Sequence, residues 1–274
     1  MNPNISKITE AVLTDKQVAL WYLGQEGFVI KSGERYLATD LYLSEYVDKN
    51  CSQYVKWERL YPAPVHAEEL SFLNVILCTH THYDHCDPWT LPKLAVANPA
   101  ARFVVPAPAV DDIAAFGIDK ARIIPAVADC PIEIDGFTVT PVPSAHEELH
   151  TDASGNYCEL GYLIDAGEIR LFHAGDMCMY DGLLERLTKV DVALLPINGR
   201  DYFRNKNDII GNFNCEEAVT LAKEIGASLL IPMHHDLYEV NRVSPASFVT
   251  TLMALNPTQP YHIFAPGERI VYMK

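Results

Sequence analysis

From residue 18 the chain alternates short apolar runs with turn residues. Val18 to Leu23 and Phe28 to Ile30 are parted by Gly24 and Gly27, and Ser32-Gly33 separates the second run from Tyr36-Leu37-Ala38. Aromatic and β-branched residues between such breaks predict strands joined as hairpins. Residues 44–71 are polar and irregular, with Pro62 and Pro64, and predict a long surface excursion; excursions of this length are often functional. Residues 73–78 are apolar and predict a buried strand, after which Asp87-Pro88 offers an N-cap and an N1 proline for a helix to about Ala97. A strand at residues 102–105, a helix at 107–116 closed by Gly117 and a strand at 122–124 follow, so the elements alternate as in layered α/β proteins.

The second half repeats the pattern. Residues 132–140 alternate around Asp135-Gly136, the signature of a two-residue hairpin turn that needs positive φ. Another hairpin is predicted over residues 157–172, turning at Ala166-Gly167. Buried strands are expected at 190–195 and 228–231. Asn214 followed by Glu217 reads as a capping box for a helix ending at Gly226, and Ser244-Pro245 opens a last helix to about Leu255. No repeat of domain-building length is present, and one domain over residues 1–274 with two sheets is the simplest organisation.

Composition narrows the partners more than the fold. Hydrophobic residues at 49% and charged residues at 21% exclude a disordered chain. Residues 1–18 lack a basic cluster followed by an apolar run, and no segment reaches the length of a membrane span, so a cytoplasmic protein without a stable membrane anchor is expected. The seven cysteines are scattered without a C-x-x-C pair, which argues against a disulfide framework or a thiolate zinc site. A net charge of −15 repels nucleic acid, and two divalent cations would offset little of it; a local pocket for a small anion stays open. Self-association leaves no trace in the sequence.

The densest chemistry lies in His80-Thr81-His82-Tyr83-Asp84-His85. In extended chain a spacing of two puts His80 and His82 on one side, able to share a metal. Asp84 and His85 follow as the chain bends, able to face a second one. Imidazole and carboxylate without thiolate suit zinc, manganese or iron. Further donors are expected at strand ends, where a sheet holds them rigidly. His146 in Pro-Ser-Ala-His, Asp176 in His-Ala-Gly-Asp and His234 in Pro-Met-His-His-Asp all qualify.

This order of motifs resembles the metallo-β-lactamase superfamily over nearly the whole chain. The resemblance implies an αββα four-layer sandwich, two mixed sheets with helices outside. It also implies His80, His82 and His146 on one metal, Asp84, His85 and His234 on a second, and Asp176 between them, with two divalent ions, zinc or manganese, as cofactors. Asp40 matches the superfamily's early aspartate; it is read as orienting a ligand histidine or tying down the loop. His235 competes with His234 as ligand, and otherwise faces the substrate. His173 has two readings, support for the metal site or a satisfied core histidine. A narrower similarity, carried by residues 21–27, 173–176, 195–201 and 232–236, is to the branch containing L-ascorbate-6-phosphate lactonase.

A water shared by two metals about 3.5–4 Å apart ionises near neutral pH and serves as nucleophile. Asp84 or a metal-bound water is expected to handle a proton and His235 to protonate the leaving oxygen. Asn198, Arg200 and Asp201 follow the strand predicted at 190–195, where Arg200 offers a fork for a substrate carboxylate or phosphate, or else pairs with a nearby acid. The expected activity is hydrolysis of a lactone or ester of a small anionic, sugar-phosphate-like substrate. Hydrolysis of small or phospholipid-type phosphodiesters, di-iron redox chemistry and metal binding without catalysis are the competing readings.

Overall fold

The computed structural model describes residues 5, 8–53 and 55–274. The reading of residues 1–18 as lacking a targeting signal thus rests partly on positions outside the described residues. The first apolar runs form β1 (Gln17–Gly24), β2 (Gly27–Ser32) and β3 (Arg35–Thr39), paired antiparallel. The excursion carries a short helix, α1 (Tyr46–Asn50). Beyond it β4 (Val75–Leu77), β5 (Arg102–Pro106) and β6 (Ile123–Ala126) extend the sheet in parallel. Parallel neighbours need crossovers, and α2 (Leu91–Ala97) and α3 (Val110–Ala115) supply them.

A second sheet holds β7 (Ile132–Ile134), β8 (Phe137–Pro143), β9 (Leu160–Ala166), β10 (Ile169–His173), β11 (Val192–Pro196) and β12 (Leu229–Met233). It is antiparallel from β7 to β10 and parallel from β10 to β12. Its connections carry α4 (Leu183–Arg186), α5 (Tyr202–Lys206) and α6 (Cys215–Glu224), and α7 (Pro245–Leu255) follows β12. The chain then returns as β13 (Arg269–Met273), which pairs antiparallel with β1 at the edge of the first sheet.

Period-two alternation decides the layers. Val18, Leu20 and Tyr22 of β1 join Val139, Ile164, Leu171 and Val192 in the core between the sheets. Trp21 and Leu23 point the other way, into a cluster with Leu91, Leu94 and Ile113 from α2 and α3. On the far side Ala218, Leu221, Phe248 and Leu252 of α6 and α7 are buried against the second sheet. Helix, sheet, sheet, helix is the resulting order, the αββα sandwich of two mixed sheets. Each such large apolar side chain contributes ~1.5–3 kcal/mol by leaving water.

Local sequence rules explain most element ends. Asn214 and Glu217 form the predicted capping box of α6, and Ser244 caps α7. Asp135 and Gly136 adopt φ of 47° and 82°, as the hairpin turn requires. Two boundaries differ from the sequence reading. The helix after the histidine run starts at Leu91 because the Asp87 carboxylate is taken up by Ser44, Thr90 and the Trp89 amide, which makes a turn there. The β9–β10 turn is Gly167-Glu168, one residue later than expected. Sequence reasoning also passed over α5 and β13. Among the described residues no helix is long and apolar enough to cross a membrane.

Candidate metal centre

Donor side chains collect where the carboxyl ends of β3, β4, β8, β10 and β12 meet, the rim at which open α/β sheets place ligands. Asp40, just past β3, sits at φ 42° and aims its carboxylate across the sheet edge. Its Oδ1 accepts the Thr79 amide at 2.8 Å, and its Oδ2 accepts the Thr79 hydroxyl at 2.6 Å and lies 2.9 Å from His85 Nδ1. With its hydrogen committed to Asp40, Thr79 Oγ1 accepts from His80 Nδ1 at 3.0 Å. Asp40 thus orients two imidazoles, His85 directly and His80 through Thr79. Both Nε2 atoms are turned the opposite way, buried and without a hydrogen-bond partner. Gly175 makes room for this arrangement: at φ 62°, a Cβ there would stand 2.8 Å from the Thr79 side chain.

His146, Asp176 and His234 face those nitrogens from the second sheet. Asp176 Oδ2 is 3.7 Å from His80 Nε2, 3.5 Å from His85 Nε2 and 3.4 Å from His146 Nε2. Its Oδ1 is 3.2 Å from His234 Nε2, while His82 Nδ1 is 3.3 Å from His146 Nε2 and His85 Nε2 is 3.6 Å from Asp84 Oδ2. Bonds of ~2.0–2.2 Å at tetrahedral angles hold two donors of one ion about 3.3–3.6 Å apart. The observed separations cluster around that range and mostly exceed a good hydrogen bond. His80, His82, His146 and Asp176 form one such group, and Asp84, His85 and His234 another.

The electrostatics suit a cation. Burial pushes His80 well below the usual histidine range, and pushes His146 down to about 4, so both are neutral donors at pH 7. Burial alone would raise Asp176, but His234, His85 and His146 hold it well below the carboxylate range. His85 goes the other way: burial would lower it, yet Asp176 and Asp84 raise it well above the usual value. Neutral His80 and His146, ionised carboxylates and unpartnered buried nitrogens make a donor set that a metal cation fits.

The model of the beta-lactamase superfamily domain matches residues 50–235. The chain belongs to the metallo-β-lactamase superfamily. A UPF0173 metal-dependent hydrolase of Aeropyrum pernix is 29% identical over 266 residues, 91% of this chain and 95% of the relative. The UPF0173 metal-dependent hydrolase of Sulfurisphaera tokodaii is 30% identical over 181 residues, 65% of this chain and 72% of its own length. Among solved structures, Igni18, a metallo hydrolase from Ignicoccus hospitalis, superposes with a TM-score of 0.68 at 18% identity, covering 94% of this chain and 99% of that one. The chain is therefore a metal-dependent hydrolase with the metallo-β-lactamase fold.

Within this superfamily site several residues take places that the sequence did not foresee. Gln25, in the β1–β2 turn, donates to Asp84 Oδ2 at 2.7 Å and lies 3.1 Å from His234 Nε2. Glu26 beside it is fully buried, with both oxygens unpartnered and one of them 3.7 Å from His85 Nδ1. Burial and then Asp176 raise it well above the carboxylate range, which favours the neutral acid. Asn212 donates to Asp176 Oδ1 at 2.8 Å and to Asn198 Oδ1 at 3.1 Å. Its place between Gly211 and Phe213, two residues before the Asn214 N-cap, carries no sequence signal of that role.

Of the residues expected on substrate, Asn198 is buried behind Asn212 and Asn241. Arg200 turns away from the cavity. It pairs with Glu217, donates to the Asn212 carbonyl at 2.9 Å and lies over Gly211, where a Cβ would meet its side chain. A guanidinium so committed braces the loop that carries Asn212 and offers no free fork. Asp201 caps α5 and pairs with Arg204. His235 is buried off the cavity wall, and burial pushes it down, so it is a poor proton donor at neutral pH. The positive φ of His234, 55°, swings that ring, and not its neighbour's, toward Asp84 and Asp176. His173 matches a satisfied core histidine: Nδ1 accepts the Gly175 amide at 3.3 Å and Nε2 lies 2.9 Å from the Glu26 carbonyl.

Proposed function

We propose that the centre holds two divalent cations, zinc or manganese, and hydrolyses a carboxylic ester or lactone. The observation carrying this reading is the spacing of the donor atoms, with Asp176 in reach of both groups, Oδ2 near His146 and His85 and Oδ1 near His234. Two cations held there supply a water of lowered pKa and Lewis acidity toward a carbonyl oxygen. The protein's own share is orientation and proton handling. Asp84 lines the cavity, is 20% exposed, and is held below the usual range by His85 and His234 against the raising effect of burial. With Gln25 fixing its Oδ2, it is the carboxylate placed to accept the proton released as water adds to an acyl carbon.

The wall beyond the donors favours a carbonyl over a phosphodiester substrate. Among the described residues the cavity of about 380 Å³ is lined by no lysine or arginine, and its one carboxylate outside the donor set, Asp208, would repel the charge that a phosphodiester carries. The test is a panel of lactones, carboxylic esters and phosphodiesters, assayed after reconstitution with zinc or with manganese and again after chelation. Chelator-sensitive turnover of lactones or esters is expected, restored by metal. Turnover of phosphodiesters alone would refute the ester reading.

A further inference from the structure

Resting on that hydrolase reading, we infer that the part of the substrate flanking the scissile bond is uncharged and apolar, and that it lies against Val47, Trp57 and Ile209. The sequence led to the opposite expectation, a sugar-phosphate-like anion. The cavity opens directly from His82, Asp84, His146, Asp176 and His234 onto these side chains. Its volume falls within the about 300–1,000 Å³ of small-molecule sites. Trp57 is held edge-on to Tyr238 with ring centroids 5.1 Å apart, and Val47 packs in the same small cluster with Tyr42 and Leu237. The apolar wall is therefore a packed surface joined to the centre.

Charge separates the two substrate classes. Among the described residues, the only ionisable lining side chain beyond the donors, Cys51 and Tyr83 is Asp208, an acid. None of the arginines around it lines the cavity: Arg59 donates to the Ser44 and Tyr42 carbonyls through its terminal nitrogens, Arg204 pairs with Asp201 and Asn241, and Arg200 with Glu217. A carboxylate or phosphate on the substrate arm would lose its hydration without gaining a partner. An alkyl arm gains about fourfold in affinity for each buried methylene.

Two pairs of probes test this, each pair differing only by a terminal methyl or carboxylate. Metal-loaded protein is expected to cleave methyl hexanoate with a kcat/KM at least about tenfold above that for monomethyl adipate. Turnover is not the only readout. 2-Octanone, which cannot be hydrolysed, is expected to quench the fluorescence of Trp57, a signal assigned by its loss in Trp57→Phe, at least about tenfold more tightly than 7-oxooctanoate. Asp208→Lys, a change at an exposed position, is expected to narrow or invert both preferences without disturbing the fold. Binding of 2-octanone with the stated preference while no ester is cleaved would uphold the apolar wall and overturn the ester hydrolase. Equal or tighter use of the charged member of both pairs, unmoved by Asp208→Lys, would overturn the apolar wall and leave the hydrolase standing.

Discussion

At and beneath the floor of the cavity His80, His85, His146, Asp176 and His234 are all buried, and the rings of His80 and His85 are oriented by Thr79 and Asp40. At its rim Val47, Trp57, Ile209 and Ile210 come from the excursions at residues 44–62 and 207–210, and Ile210 is 41% exposed. The contrast follows from the physics of what each part binds. A coordination bond fails when its donor is displaced by a few tenths of an ångström, so donors sit on rigid elements, and in His80 and His85 the second nitrogen is already engaged. Apolar contact is non-directional and tolerates displacement, so irregular chain suffices.

Breaking the floor is expected to have the largest effect. Asp176→Ala removes the carboxylate between the two donor groups and leaves the imidazoles without their shared counter-charge. Activity should fall by at least about 10³-fold and metal content should drop, with circular dichroism showing a folded protein. Wild-type metal content in this variant would show that Asp176 does not join the groups. Asp40→Asn is smaller. It keeps the shape but cannot serve both Thr79 and His85 as acceptor, and metal affinity should weaken about 10–100-fold in chelator competition. An unchanged affinity would mean that packing alone orients His80 and His85.

Outside both regions Asn214→Ala should lower stability by about 1 kcal/mol in urea titration by removing the cap of α6, with kcat/KM unchanged. A loss of activity there instead would tie the second-sheet helices to the centre and blur the contrast.

The same physics governs what the sequence disclosed. The floor was legible because histidine and aspartate at strand ends are few and their spacing has chemical meaning; every donor expected from residues 80–85, 146, 176 and 234 converges. Asn212 was not legible, since asparagine in a loop looks like any turn residue until Asp176 is seen beside it. Arg200 showed its chemistry but not its partner, Glu217, which is brought to it only by folding. His234 and His235 are alike in sequence, and one backbone angle separates them. The rim was opaque because apolar residues in irregular chain follow no period, and Trp57 meets Tyr238 only across the fold. Among the elements, long runs with caps were read well, whereas β13 is a short run of five residues and was passed over although Pro266-Gly267 marks a turn just before it.

The pairing of β13 with β1 has a consequence for how the protein is made. Arg269–Met273 pairs with residues 17–21, a strand synthesised long before it, so the edge of β1 stays open while everything between them leaves the ribosome. That edge belongs to an almost wholly apolar strand, the kind of surface that recruits other nascent chains. Slow translation near residue 260 would prolong this exposure, making the closing strand a determinant of yield in the cell as much as of shape.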